Sequence, residues 1–439
     1  MKILMITYRF PPYNSSGAVR CGKMSKYLSE LGHDVRVISC KDQPLPKTLA
    51  LELPQEKVMY TTWWNINAPV EKLLGGRKKI ARSGVYSVLN KPGIKSKVLK
   101  FFGKLYKNVL HMPDAQIGWK WAAVRKGEEI IKEWSPDVIY ASAHPITSFI
   151  VANELSNKSG VPWIGELRDL WVDSPYYTNP IWKKWIEEKW ERKIFSKASG
   201  LISITDHSVK LLCEKYSCPV EVILNGFDES DYNQGVQEMP LPRSFIKGGI
   251  NILYAGMIYP GKRDPEPLLK AISLLSNDLR KHVKVHFYGT QLSIVNQVSE
   301  DLKITSNVTV NAPIPYSEIL KMQQQADILL LLMWNNPLEV GTFTGKFFEY
   351  IGAKRPILCI GGHESPPAKV ITERSLGTVL FEPIKIASYL KDLITDKNDK
   401  GFIESIPQGG EQGFSRKEQA EKLSLFLKKV VKPPNDIDY

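Results

Sequence analysis

The chain opens "MKILMITYRFPPYNSSGAVRCGKMSKYLSELGHDVRVIS" (residues 1–39), and this stretch decides the fold class. "KILMITY" (2–8) is short, apolar and followed by the breakers "PPYNSSG", the pattern of a strand buried on both faces. A helix over about 17–30 then stops at Gly32, since glycine readily takes the left-handed conformation that ends helices. "DVRVIS" (34–39) is a second strand. Strand, helix and strand in this order make a βαβ unit with parallel strands.

The same alternation continues outward. Helix 117–133, strand 137–142, helix 146–157, strand 162–167, a Trp-rich helix 179–196, strand 200–205, helix 206–216 and strand 220–224 complete a first set. Two prolines and a glycine pair in "MPLPRSFIKGG" (239–249) interrupt it. A second set then runs through strands 250–256, 283–289, 308–311, 326–332, 356–361 and 377–381, with helices from Pro265, to about 303, over 316–324 and over 344–352. The expected fold is α/β: two Rossmann-like, doubly wound domains, with ligands at the carboxyl ends of the strands in a cleft between them. The expected boundaries are 1–242, 247–412, and a C-terminal helix and tail 413–439 that returns to the first domain.

A length of 439 residues fits two domains, because single cores stop growing near about 250–300 residues. The 43% hydrophobic and 24% charged composition is that of a folded chain. No run approaches the roughly 20 apolar residues of a membrane span, and the start lacks the features of a signal peptide, so a cytoplasmic location is expected. Five cysteines without paired or Cys/His spacing indicate neither a disulfide framework nor zinc. The net charge of +13 is concentrated in the basic insertion 72–113, where eleven Lys or Arg precede Pro113 without one acidic residue.

Three loops carry candidate chemistry. Ser15, Ser16 and Gly17 start a helix whose free N–H groups suit a phosphate or an attacking acceptor, although an ordinary serine-capped turn fits the stretch equally. In "YAGMIYPGKRDPEPLL" (254–269) the breakers deliver Lys262 and Arg263 to the end of a strand, where two cations match a diphosphate better than a solvated turn. In "GTFTGKFFEY" (341–350), Thr342, Phe343, Thr344 and Gly345 offer N–H groups and hydroxyls to phosphate, and Lys346 adds a cation. Glu349, about one turn into the next helix, can accept both vicinal hydroxyls of a ribose. Arg168 and Asp169 end one strand and His144 another. Arg168 suits a phosphate or an ion pair with Glu166 or Asp169; His144 suits sugar contact, a proton relay or the cap of the next helix.

These residues lie in a longer series: "LSELGHDVRVIS", "PDVIYASAHPITS", "GVPWIGELRDLW", "SKASGLISITDHSVKLL", "VILNGFDES", "GKRDPEPLLKAI" and "GTFTGKFFEYIGAKRPIL". In order and spacing the whole chain resembles the GT-B-fold, retaining nucleotide-sugar glycosyltransferases of the family 4-like group, which build bacterial lipopolysaccharide, O-antigen and capsule. The resemblance implies donor-phosphate and acceptor contact at Gly17, a diphosphate grip at Lys262 and ribose binding at Glu349. Three positions depart from the family pattern. Met257 replaces the arginine before the phosphate lysine, leaving Arg263 to substitute. Gly341 stands where the first glutamate of E-x7-E would fall, with Glu339 nearby. Arg168 occupies the position where many relatives carry histidine.

The expected reaction is transfer from a nucleoside-diphosphate sugar to a glycan or polyprenyl-diphosphate-linked acceptor, with retention by front-face attack. No cofactor or metal is expected, since the sole Asp-x-Asp, Asp436 to Asp438, lies in the last four residues. A nucleotide-sugar epimerase or glycan phosphorylase of the same architecture is the alternative enzyme. Nucleic-acid binding by the basic segment is the non-enzymatic one, and no nucleic acid is the expected outcome. In "IKSKVLKFFGKLYKNVL" (94–110), Phe101 and Phe102 share one helical sector with Ile94, Val98, Leu105 and Val109, opposite Lys97, Lys100, Lys104 and Lys107. That helix is expected to lie on an anionic membrane at its inner face, its rival being a helix packed on the domain.

Overall fold

The opening stretch forms a strand, a helix and a parallel strand, as read. The computed structural model describes residues 1–65, 109–174, 177–232, 242–259, 261–336, 341 and 343–431. The helix of 94–110 is therefore outside the described residues except for its last two, and Phe101, Phe102, Lys97, Lys100 and Lys104 lie outside them. Thr342, Glu339, Asp436 and Asp438 lie outside as well. The chain divides into two units, one comprising Met1–Leu224 with the residues from Ala420 onward, the other Asn225–Gln419.

In the first unit the strands are β1 (Lys2–Thr7), β2 (Asp34–Cys40), β3 (Val58–Thr61), β4 (Val138–Ala143), β5 (Trp163–Leu167), β6 (Gly200–Ser203) and β7 (Val220–Val222). They form one parallel sheet in the order β3-β2-β1-β4-β5-β6-β7, with Ile3 opposite Val35 on one side and Val138 on the other. Helices α1 (Ser16–Glu30), α2 (Lys120–Trp134), α3 (Thr147–Ser159), α4 (Ile181–Phe195) and α5 (Asp206–Lys215) connect them. Because side chains alternate along β1, Leu4 and Ile6 enter one buried cluster with Trp119 and Phe149, and Ile3 and Met5 enter another with Met24 and Leu28 of α1. β3 has no counterpart in the sequence reading. Pairing with β2 selects its four residues.

The second unit contains β8 (Ile250–Ala255), β9 (Val283–Tyr288), β10 (Val308–Asn311), β11 (Ile328–Leu332), β12 (Ile357–Ile360) and β13 (Gly377–Leu380), parallel in the order β10-β9-β8-β11-β12-β13. Its helices are α6 (Glu266–Leu274), α7 (Asn277–Arg280), α8 (Ser293–Asp301), α9 (Tyr316–Gln325), α10 (Gly345–Gly352), α11 (Pro366–Glu373) and α12 (Pro383–Lys400). α13 (Arg416–Val431) ends the described chain; its Ala420, Leu423, Phe426 and Leu427 are buried in the cluster that contains Ile3 and Met5.

Both sheets reverse their order between the first strand and the fourth, between β1 and β4 and between β8 and β11. Connections leave such a point in opposite directions, opening a crevice at the carboxyl ends of the strands. The candidate residues cluster at these two points. The five cysteines are all free, with Cys21, Cys40 and Cys359 buried. Among the described residues no helix is long and apolar enough to cross a membrane.

Candidate functional site

In the first unit, β1 runs out through Tyr8 and Arg9 before α1 begins. Ser15 caps α1, its hydroxyl accepting from the Ala18 amide at 3.2 Å. Gly17 then meets Arg168 from the end of β5: a Cβ at position 17 would stand 2.5 Å from Nη1 and 2.7 Å from Nη2 of that arginine. Only glycine lets the guanidinium lie this close to the helix start.

Arg168 donates to the carbonyls of Ala143 (2.7 Å) and His144 (3.1 Å), not to Glu166 or Asp169. The ion-pair alternative for Arg168 fails because Glu166 is already engaged. Arg20 of α1 holds it at 2.7 Å, with both side chains buried, and Ser142 donates to its other oxygen at 2.6 Å. Arg20 also donates to the Ile223 and Leu224 carbonyls. Burial alone would raise the Glu166 pKa, but the Arg20 charge and hydrogen bonds outweigh it and leave it lowered. This is a buried pair satisfied on both sides.

Arg9 was not among the candidates. Among the described residues its side chain has no hydrogen-bond or carboxylate partner, and burial first, then the charge of Arg168, lower its pKa. The charges of Arg9 and Arg168 thus act on one another near a helix N-terminus, and neither has an ion-pair partner among the described residues. His144 lies next to them, with Nδ1 3.8 Å from the exposed Asp169 carboxylate. Burial lowers the His144 pKa despite Asp169, which favours the neutral ring. His144 does not cap α3, because Asp114 accepts from both the amide (2.9 Å) and the hydroxyl (2.7 Å) of Thr147.

In the second unit, β8 is followed by Gly256, whose φ of +143° belongs to glycine. A Cβ there would stand 2.3 Å from Cε and 2.5 Å from Nζ of Lys346, so the lysine of α10 lies across the end of β8. The Lys346 ammonium is 5.2 Å from the Tyr254 ring centre. Burial lowers its pKa, Glu349 opposes this, and Arg263 adds to it. The turn after β8 brings Lys262 to 4.7 Å over the Trp334 ring and Arg263 to 5.7 Å from the Tyr259 ring.

Thr344 occupies the N-cap position of α10 without capping it; among the described residues its buried hydroxyl has no hydrogen-bond partner. Gly345 beside it is exposed, with open space where a Cβ would point. The Phe343 ring packs with Phe347 and Phe348 in the core, which leaves its backbone amide as the group the expectation rests on. Glu349 is partly buried and accepts from Gln323 Nε2 of α9 at 3.3 Å. Burial raises its pKa against the lowering from Gln323 and Lys346. Gln323, Tyr254 and Trp334 reach the site from distant sequence and carried no signal there.

The second-unit set holds cations, helix amides and one carboxylate within two turns of helix. It can bind an anionic group beside a pair of hydroxyls. The first-unit set holds two arginines, an imidazole kept toward its neutral form and the exposed Asp169 carboxylate, and its arginines suit an anion.

Residues 17–226 match the family model described as a glycosyl transferase 4-like domain. No curated protein matches the chain. Among solved structures, a glycosyltransferase from Rickettsia africae ESF-5 superposes with a TM-score of 0.61 at 15% identity, over 98% of this chain and 99% of that one. Anabaena HepE, in complex with UDP and glucose, gives 0.61 at 13%, over 98% and 100%. The lipopolysaccharide outer core galactosyltransferase WaaB gives 0.55 at 14%, over the same shares. The chain has the α/β GT-B fold of these glycosyltransferases.

Proposed function

We propose that this chain is a retaining glycosyltransferase that moves a sugar from a nucleoside-diphosphate sugar to a hydroxyl of a glycan or polyprenyl-diphosphate-linked acceptor in bacterial surface-polysaccharide synthesis. The observation that carries the reading is the placement of Lys346 across Gly256, one turn before Glu349 and next but one to Thr344, whose hydroxyl has no partner among the described residues. A nucleoside diphosphate answers each of these groups. Its phosphates take Lys346, Lys262, Arg263 and the first amides of α10, and its ribose hydroxyls take Glu349. The binding of UDP by HepE makes uridine the first base to test.

In the proposed reaction the bond from the anomeric carbon to the leaving phosphate breaks while the acceptor oxygen bonds to that carbon on the same face. The acceptor proton passes to the departing phosphate oxygen. The cations stabilise the charge that develops there, and no metal or cofactor takes part. Arg9, Arg168 and the start of α1 hold a phosphate on the acceptor, with neutral His144 at the sugar. The basic segment 72–113, with Phe101, Phe102, Lys97, Lys100 and Lys104, draws the protein to the inner face of an anionic membrane where such an acceptor resides.

The test is incubation with labelled UDP-, GDP- and TDP-sugars, with and without a lipid diphosphate acceptor, in the presence of EDTA. Label in the lipid product, with the anomeric configuration of the donor by NMR, is expected. A new nucleotide sugar without acceptor identifies an epimerase, and a need for inorganic phosphate a phosphorylase. Absence of thermal stabilisation by any nucleoside diphosphate overturns the donor site.

A further inference from the structure

Over its first three turns, before Ile194 and Phe195 enter the core, helix α4 is folded inside out. Its inward side carries Lys183, Glu187 and Glu191, each 3% exposed or less, while Ile181, Trp182, Trp185 and Trp190 point to solvent at 88, 46, 58 and 39% exposure. A surface helix ordinarily buries its apolar stripe. A buried charge row and an exposed row of large apolar side chains are the two departures from ordinary burial that carry information, and here they share one helix.

The inward charges explain how the helix stays attached. Glu187 accepts from the Tyr177 hydroxyl at 2.7 Å and from Trp171 Nε1 at 3.3 Å. Glu191 accepts from the Val172 amide at 3.1 Å, the Tyr216 hydroxyl at 2.8 Å and Lys215 Nζ at 2.5 Å. Lys183 donates to the His111 carbonyl at 2.7 Å. Polar bonds thus pin the first three turns of α4 to the unit, Ile194 and Phe195 of its last turn enter the buried cluster, and the outward apolar residues serve neither attachment.

The outward half is also free of acid. At about 100° per residue, Ile181, Trp185, Trp182, Ile186 and Trp190 fall within one half of the circumference, interleaved with Lys189, Arg192 and Lys193 and with no Asp or Glu. Lys189 Nζ stands 3.4 Å from the Trp185 ring centre. The exposed Val109 and Leu110 precede His111, so they lie beside the first turn of α4. Tryptophan with lysine and arginine is the composition that settles at the headgroup level of a bilayer, where the ring is partly dry and the cation meets lipid phosphate.

We propose that the outward face of α4 is a docking surface for an anionic phospholipid bilayer. It adds a place of work to the proposed function and requires neither the donor nor the acceptor to be as assigned. A protein partner for this face would ordinarily meet the lysines with carboxylates, and the outward half of α4 offers no acid of its own for a self-complementary contact between copies.

The test is sedimentation of the full-length protein with vesicles of phosphatidylglycerol and phosphatidylcholine, against phosphatidylcholine alone. The wild type should bind the anionic vesicles, more weakly as salt rises, with brominated lipid quenching its tryptophan emission. The pairs Trp182→Ser with Trp185→Ser and Lys189→Glu with Lys193→Glu should each weaken binding about tenfold or more. Circular dichroism, melting temperature and transfer to a soluble acceptor should be unchanged, since these side chains are exposed. Wild-type protein that ignores anionic vesicles at low salt overturns the proposal. So does binding undiminished in both variants, or lost only when Lys97, Lys100 and Lys104 are replaced, which assigns the contact to the basic segment. A dimer that the tryptophan pair dissolves names a second copy as the occupant and overturns it too. Loss of vesicle binding with transfer intact supports the surface; loss of transfer with vesicle binding intact leaves the surface standing and strikes the proposed function alone.

Discussion

The two units share a strand order at their switch points yet equip them differently. Beside β1 and β4 the buried carboxylate of Glu166 is consumed by Arg20, and neither Arg9 nor Arg168 has an ion-pair partner among the described residues. At β8 and β11 the cations keep a carboxylate, Glu349, within one turn of Lys346. The same strand order therefore presents different groups at its two switch points. One end is suited to an anion and the other to an anion joined to a diol, because topology fixes where the crevice opens and side chains fix what enters it.

The comparison breaks most directly at Lys346. Lys346→Ala should lower turnover about 10³-fold, the upper scale for losing one preorganised donor to a developing charge, with little change in melting temperature. Single-turnover rates on folded protein check this, and an unchanged rate would move the diphosphate elsewhere.

Glu166 tests the claim that the first unit spends its acid on structure. Removing one partner of a buried pair costs about 3 kcal/mol or more, so Glu166→Ala should lose that much in urea unfolding. The Glu166 pKa is lowered on folding. Its contribution is therefore present above the ordinary glutamate value of 4.5 and lost as pH falls through the depressed folded value. Wild-type stability should decline in that acid window more steeply than that of the variant.

Glu349→Ala should weaken nucleoside-diphosphate binding about 10- to 100-fold, the range for hydrogen bonds to a charged acceptor, by titration calorimetry. The loss should be far smaller for a 2′,3′-dideoxy nucleotide, which has no diol to lose; an equal loss would remove the ribose assignment. The smallest effect belongs to Arg9. Arg9→Ala should raise the acceptor KM about tenfold and leave donor affinity unchanged. A donor effect of the same size would erase the distinction between the two ends.

Much of this arrangement is legible in the sequence. Apolar runs such as "KILMIT" and "ILLLL", broken by glycine and proline, determine parallel strands and their order of appearance, because a strand buried on both faces admits little else. The loops after β1, β5, β8 and β11 can be read as ligand loops for the same reason. Arg9 was missed, since one arginine after a strand looks solvated until the fold places Arg168 against it.

Sequence by itself therefore determined two doubly wound α/β units and which loops hold the candidate residues, since both follow from local pattern and from the sense of parallel strands. Tertiary structure alone decided that Arg20, not Arg168, neutralises Glu166, that Asp114, not His144, serves the first turn of α3, and that the ring of Phe343 belongs to the core. It also decided that α4 shows its tryptophans outward. Each of these depends on which of several suitable partners, far apart in the chain, arrives first within hydrogen-bond distance or fills a given volume. A periodic pattern encodes two faces of a helix, and only the surrounding groups determine which of them is buried.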